Sequence, residues 1–188
     1  MADFFRWISF NLRYLGKPTW DTGTPPPELL EFINQNTAGE ALDLGCGTGT
    51  NLLALAKAGW KVYGVDYIWL AVNKARRRLK NAGFEPRVFC SDVVNIDYLK
   101  QKFDLILDIG CFHGLSKSQK DRFRQNLNRL LKTNGSFLFY AYLQHGLNNF
   151  GFSEKDFIDL CQQFHLKWRK DGIGRLDQPS TWMQFDKK

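Results

Sequence analysis

Apolar residues recur at two different spacings along this chain, and the spacing changes near Glu40. Before it, Phe4, Trp7, Ile8, Leu12 and Leu15 fall three and four apart, which predicts an amphipathic first helix ending at Gly16, with Pro18 just beyond as a stop signal. The prolines at 25 to 27 suit the first turn of a second helix that carries Leu29, Leu30 and Ile33 inward. From Glu40 onward, short apolar runs alternate with helical periodicity, the sequence form of βαβ units around a parallel sheet. Strands are predicted near 41–45, 61–66, 86–91, 103–109 and 135–142, with helices near 49–58, 69–82 and 118–132 between them. The last of these carries Phe123, Leu127, Leu130 and Leu131 on one stripe. A shorter helix is expected near 94–100. Ser153 and Asp156 have the spacing of a capping box, so a helix should open at 154–163, followed by strands at 165–172 and 181–186 as a terminal hairpin.

No repeat, low-complexity tract or linker interrupts this pattern. A chain of 188 residues fits a single domain, 1–188, with 1–38 as a helical cover and 39–188 as the core. At 44% hydrophobic and 15% aromatic, with 16 Phe, it has the composition of a globular protein. The net charge of +7 permits contact with nucleic acid, anionic lipid or an anionic substrate, but a solvated basic surface gives the same number. Lys74, Arg76, Arg77, Arg78 and Lys80, opposite the stripe Ile68, Val72, Ala75 and Leu79, read as such a solvated face. Cys46, Cys90, Cys111 and Cys161 form no CxxC pair, so reduced thiols are expected and no metal site is suggested. The first sixteen residues are interrupted by Asp3, Arg6, Asn11 and Arg13, unlike a signal peptide, and no apolar run is long enough to span a bilayer. A cytoplasmic protein without membrane contact is the expectation.

The candidate chemistry begins at ALDLGCGTGTN, 41 to 51, where Gly45, Gly47 and Gly49 follow a short strand and precede a helix. Glycines there let the backbone turn tightly and approach a ligand. Asp66 ends the next strand about 20 residues later, placed to accept hydrogen bonds from both hydroxyls of a ribose. Thr50 stands where a dinucleotide fingerprint needs its third glycine, which weakens a nicotinamide or flavin reading. LDLGCGTG, 42 to 49, resembles motif I of class I S-adenosylmethionine-dependent methyltransferases. WDTGTPPPEL, 20 to 29, is similar to the N-terminal cofactor-covering segment of the thiopurine and thiol methyltransferase-like group, and PSTWMQF resembles that group's final strand. The resemblance implies a Rossmann-like α/β fold: a doubly wound, mostly parallel seven-stranded sheet with a C-terminal antiparallel hairpin strand. It also implies S-adenosyl-L-methionine as cofactor and S-adenosyl-L-homocysteine as product.

Carried over by that resemblance, Gly45, Cys46, Gly47 and Gly49 would face the methionine part of the cofactor, and Asp43 would help hold its ammonium. Asp66 would take the ribose, Tyr67 and Ile68 would lie near the adenine, and Asp92 with the Val93 backbone would meet the adenine amine. Trp20 would cover the site. The alternative role for each aspartate is to cap its own loop, a common one for this side chain at strand ends, with cofactor contact the preferred reading for Asp66 and Asp92. FDLILDIGCFHGL places Asp108, Cys111 and His113 at the carboxyl edge of the sheet, where open α/β proteins bind ligands. Asp108 should line the cofactor cavity. For a neutral hydroxyl or amine acceptor, Asp108 or His113 could take the proton, whereas a thiolate or halide needs no base. His113 could instead be a histidine bonded to backbone, and Cys111 a small apolar filler. The aromatic start could be a lid or an ordinary packed helix. A small-molecule acceptor, a thiol or other soft nucleophile, is the leading expectation. An RNA-directed enzyme and an inactive cofactor-binding regulator are the alternatives, the former weakened by DIGC standing where base-amine methyltransferases carry an NPPY-like turn.

Overall fold

In a computed structural model, the described residues are Tyr14, Gly16, Pro18, 21–145 and 150–188. Of the expected first helix they include only Tyr14 and Gly16, and Trp20 lies outside them. Helix α1 (Pro27–Gln35) begins on proline, as expected, and buries Leu29 and Phe32. Then come β1 (Glu40–Leu44), α2 (Thr50–Lys57), β2 (Lys61–Asp66), α3 (Trp69–Asn81), β3 (Val88–Cys90), β4 (Phe103–Ile109), α4 (Lys117–Leu130), β5 (Leu131–Tyr142), α5 (Glu154–Gln163), β6 (Phe164–Ile173) and β7 (Pro179–Lys187). The seven strands lie in the order β3-β2-β1-β4-β5-β7-β6, with β7 antiparallel to both neighbours and the others parallel. The fold is therefore the Rossmann-like α/β sheet with its terminal hairpin.

Two apolar layers flank the sheet because β4 and β5 alternate their side chains. Ile106, Phe137 and Phe139 meet Phe123, Leu127 and Leu160 from α4 and α5 on one face. Leu105, Leu107 and Leu138 share the other with Leu29, Phe32, Leu52, Val72 and Leu79. Both capping boxes, Ser116 with Gln119 and Ser153 with Asp156, are formed.

Two expectations fail for a common reason. The segment 94–100 is not a helix but a pair of tight turns. Its carbonyls are taken by α4: Arg122 and Asn126 donate to Val94 O, and Arg129 donates to Ile96 O and Leu99 O. These long-range donors hold the segment in its turned form, and locally Ile96 O accepts from Leu99 N, three residues on, rather than from an i+4 amide. Nor are the cations of α3 simply solvated. Lys74 donates to Tyr14 O and Gly16 O, Arg76 to Val88 O and Arg78 to Thr50 Oγ1, so part of the positive charge is spent inside the fold. The fifth strand also starts earlier than expected, at Leu131, through an irregularity opposite Phe103/Leu105 with Asn134 at φ 63°. Among the described residues, no helix is long and apolar enough to cross a membrane, and no group of three His, Cys, Asp or Glu could hold a metal.

Candidate active site

The loop between β1 and α2 is tied to the next strand before it reaches any ligand. Gly45 N and Cys46 N both donate to Val65 O, at 2.8 and 3.0 Å. Gly49 has φ 79°, and a Cβ there would lie 2.9 Å from Ala75 Cβ, so only glycine lets α3 close against the loop. Gly49→Ala is accordingly expected to cost about 2 kcal/mol, from left-handed strain and overpacking together. A urea titration checks this, and a midpoint unchanged from wild type would contradict it.

Four carboxylates gather at the carboxyl ends of β1 to β4, all acting on the half-buried Cys111 thiol. Asp66 is 6% exposed and accepts from Gly47 N at 2.9 Å and Ile68 N at 2.8 Å, one bond to each oxygen. Burial raises its pKa and these two bonds oppose the rise. A carboxylate has about four lone-pair sites, so Asp66 shapes the loop and keeps acceptor capacity. Asp92 accepts from Val94 N at 3.1 Å, and Ser91 N donates to Asp66 O, which holds the two strand ends together. Val93 and Ile68 are buried, the latter with Ala71 and Tyr14, while Tyr67 is exposed.

Asp108 is fully buried and turned toward its own chain, accepting from Cys111 N at 2.9 Å and Phe112 N at 3.0 Å. Burial pushes its pKa up to about 7. Asp43 differs from the others. It is 1% exposed, and its Oδ2 has no hydrogen-bond partner among the described residues. Burial, then Asp108, then Asp66, raises its pKa well above the usual carboxylate range. A buried unpaired oxygen amid like charges is costly, and a cation placed beside it would relieve both penalties.

Beyond Asp108, Cys111 lies against the loop, its Cβ 3.0 Å from where a Gly45 Cβ would stand. Burial and the surrounding carboxylates push the Cys111 and Cys46 thiols up, so neither is a ready thiolate. His113 sits in a short 3₁₀ turn, Phe112–Gly114, with its Nδ1 accepting from Tyr142 N at 3.2 Å. That bond leaves the proton of the neutral ring on Nε2. The ring lies 5.1 Å from Tyr142 and 5.0 Å from Phe150, centroid to centroid. Nothing in the sequence singled out Tyr14, Tyr142 or Phe150, which stand in a turn, at the end of β5 and in the loop before α5. Asp21, which accepts from Thr48 Oγ1 at 2.8 Å, lies in the WDTG string, but no spacing rule pairs it with the loop.

The fold, the glycine loop and the carboxylates at the strand ends define the class as a class I S-adenosylmethionine-dependent methyltransferase. The chain belongs to the methyltransferase domain family, whose pattern matches residues 41–135. Its relatives include the 2-heptyl-1-hydroxyquinolin-4(1H)-one methyltransferase of Mycobacteroides abscessus, 27% identical over 67% of this chain and 56% of that protein. A protein named probable thiol methyltransferase 2 of Arabidopsis thaliana is 27% identical over 65% of this chain and 56% of its own length. The tRNA N(3)-methylcytidine methyltransferase of Schizosaccharomyces pombe is 33% identical over 62% of this chain and 41% of its own length. The chain thus spans about half the length of these relatives. Among solved structures, the N-methyltransferase NodS of Bradyrhizobium japonicum in complex with S-adenosyl-L-homocysteine superposes with a TM-score of 0.81 at 18% identity, over 96% of this chain and 97% of that one.

Proposed function

We propose that this methyltransferase acts on a small soft nucleophile, a thiol first, held at the carboxyl edge beside Cys111 and His113. S-adenosylmethionine supplies, when bound, a methyl group on a cationic sulfur and a cationic ammonium. The observation that supports its seat here is the unpaired Asp43 Oδ2 under the glycine loop, flanked by Asp66 and Asp108. Asp43 would take the ammonium, Asp66 the ribose and Asp92 with Val93 the adenine edge. Gly45, Cys46, Gly47 and Gly49 would give the close backbone approach, with Tyr67 and Ile68 beside the base. Asp108 has a second role, capping the turn that carries Cys111.

The acceptor reading rests on what the edge does with its titratable groups. Both Asp108 oxygens receive backbone N–H groups, and Nδ1 of His113 is engaged by Tyr142 N. With Nδ1 engaged by Tyr142 N, that ring nitrogen of His113 is not offered as a base. The chain contributes alignment and water exclusion, and the acceptor is expected to arrive already ionised or soft. A series of thiols of differing acidity with labelled cofactor tests this: the midpoint of kcat/KM against pH should move with each thiol's own pKa. A midpoint held constant across the series would assign the proton to the protein and defeat the soft-acceptor reading. Turnover of RNA alone would transfer the reading to nucleic acid, the acceptor class of the tRNA-modifying relative.

A further inference from the structure

We propose that Lys74 is a positioning residue that seats the segment through Tyr14, Gly16 and Asp21 on the glycine loop and so sets how long the cofactor stays bound. The inference rests on the cofactor seat proposed above, but its geometry is independent of any ligand. Lys74 lies on α3, the helix that leaves Asp66, three residues after the buried Ala71. Its Nζ donates to Tyr14 O at 2.6 Å and to Gly16 O at 3.2 Å, so one ammonium gathers two carbonyls of a segment about 60 residues away in sequence. Tyr14, thus held, is 4% exposed and touches Ile68 and Ala71. Its hydroxyl stands 3.3 Å from where a Gly47 side chain would begin, directly over the loop. Further along, Asp21 accepts from Thr48 Oγ1 at 2.8 Å, a second anchor on the same loop.

A cavity of about 470 Å³ is bordered by Gly16 and Asp21 of the segment and by Thr48, Lys74, Arg77 and Arg78. At the described residues the segment is held by these polar contacts and by Tyr14, and charged donors make the strongest of such contacts. Lys74 also joins the cover to the helix whose N-terminal end adjoins Asp66 and Ile68. Seating and the ribose end of the site are therefore mechanically linked. Loss of the ammonium should free the cover without touching any carboxylate of the site.

The test uses Lys74→Met and Lys74→Arg in the full chain, with S-adenosylhomocysteine as probe. Lys74→Met is expected to weaken binding about tenfold, mostly through faster dissociation, and to raise KM for the methyl donor while kcat does not fall. Lys74→Arg, which keeps the charge and the donors, should restore most of the affinity. Amide exchange in ligand-free protein should accelerate over 14–24 in Lys74→Met and not in Lys74→Arg. If wild type binds the probe and Lys74→Met binds it equally well with equal dissociation, the proposal is overturned while the cofactor seat stands. If wild type does not bind the probe, the cofactor seat falls, and the exchange data alone judge the seating: unchanged protection in Lys74→Met overturns it. Should Lys74→Met not fold, Asp21→Asn, which weakens the other anchor, is expected to give the same faster dissociation and faster exchange, and wild-type values there would overturn the proposal.

Discussion

Asp43→Asn is expected to raise the melting temperature of the free protein and, at the same time, to weaken S-adenosylmethionine binding at least tenfold. The two effects have one cause. In the free protein a carboxylate oxygen of Asp43 is buried without a partner among the described residues and is repelled by Asp108 and Asp66, so neutralising the group removes desolvation and repulsion. The gain should be on the order of 1 kcal/mol, about 2 to 4 °C for a chain of this size. The same change removes the charge that would face the cofactor's cation, and charge-assisted contacts are the strong ones. Calorimetry and thermal melting on one preparation check both signs. A variant that melts lower and binds normally would remove Asp43 from the proposed seat.

The pH dependence follows in sign from the same group of carboxylates. A carboxyl whose folded pKa is raised binds its proton more tightly in the folded protein. Its contribution to stability is complete below the unfolded value and is lost as pH rises through the folded one. For Asp108 that window runs from about 4, the ordinary carboxylate value, up to about 7. The free protein should therefore lose stability across this range, and Asp43→Asn should flatten part of the loss. A bound cation favours the ionised forms, so cofactor binding near pH 6 should release protons, visible as a buffer-dependent enthalpy.

Lys120→Met should cost about 2 kcal/mol, because it removes the ammonium that holds Asp156 between α4 and α5 and leaves Arg124 Nη1, at 3.9 Å, as the remaining cation beside that carboxylate. Lys120 is 9% exposed and Asp156 7%. Lys120 Nζ donates to Asp156 Oδ2 at 2.7 Å and to Gly151 O at 3.0 Å, and lies 5.2 Å from the Phe112 ring. Asp156 also accepts from Ser153 at the start of α5, and Arg124 bonds Asp159 at 3.1 Å beside it. The lysine thus ties two helices to the turn that carries His113. Denaturant unfolding measures the loss. Lys120→Met combined with Asp156→Asn should lose less than the sum of the two single losses, since both changes remove the same contact. Additive losses would mean that the pair is not coupled.

Several features were legible from residue order alone. The seven strands, the helix that starts at Pro27 and the two capping boxes depend on periodicity and on interactions within four residues, which a sequence displays directly. The glycine loop was equally plain, since its positive φ angles demand the residue type that is written there. The segment 94–100 misled because its backbone acceptors are claimed by side chains about 30 residues later. The basic run on α3 misled in the same way. Nothing near Lys74 shows that its ammonium is held by carbonyls about 60 positions earlier.

By itself, then, the order of residues determined the sheet, its glycine loop and the family to which the chain belongs, because each is encoded by local pattern and short motif. Only the tertiary structure decided what the aspartates at the strand ends do. Asp66 and Asp92 hold loops, Asp108 caps a turn, and Asp43 keeps a buried oxygen without a partner among the described residues. The reason is physical: a carboxylate's role is set by which N–H groups and charges surround it in space. Those neighbours come from strands whose adjacency, β2-β1-β4, departs from their order along the chain.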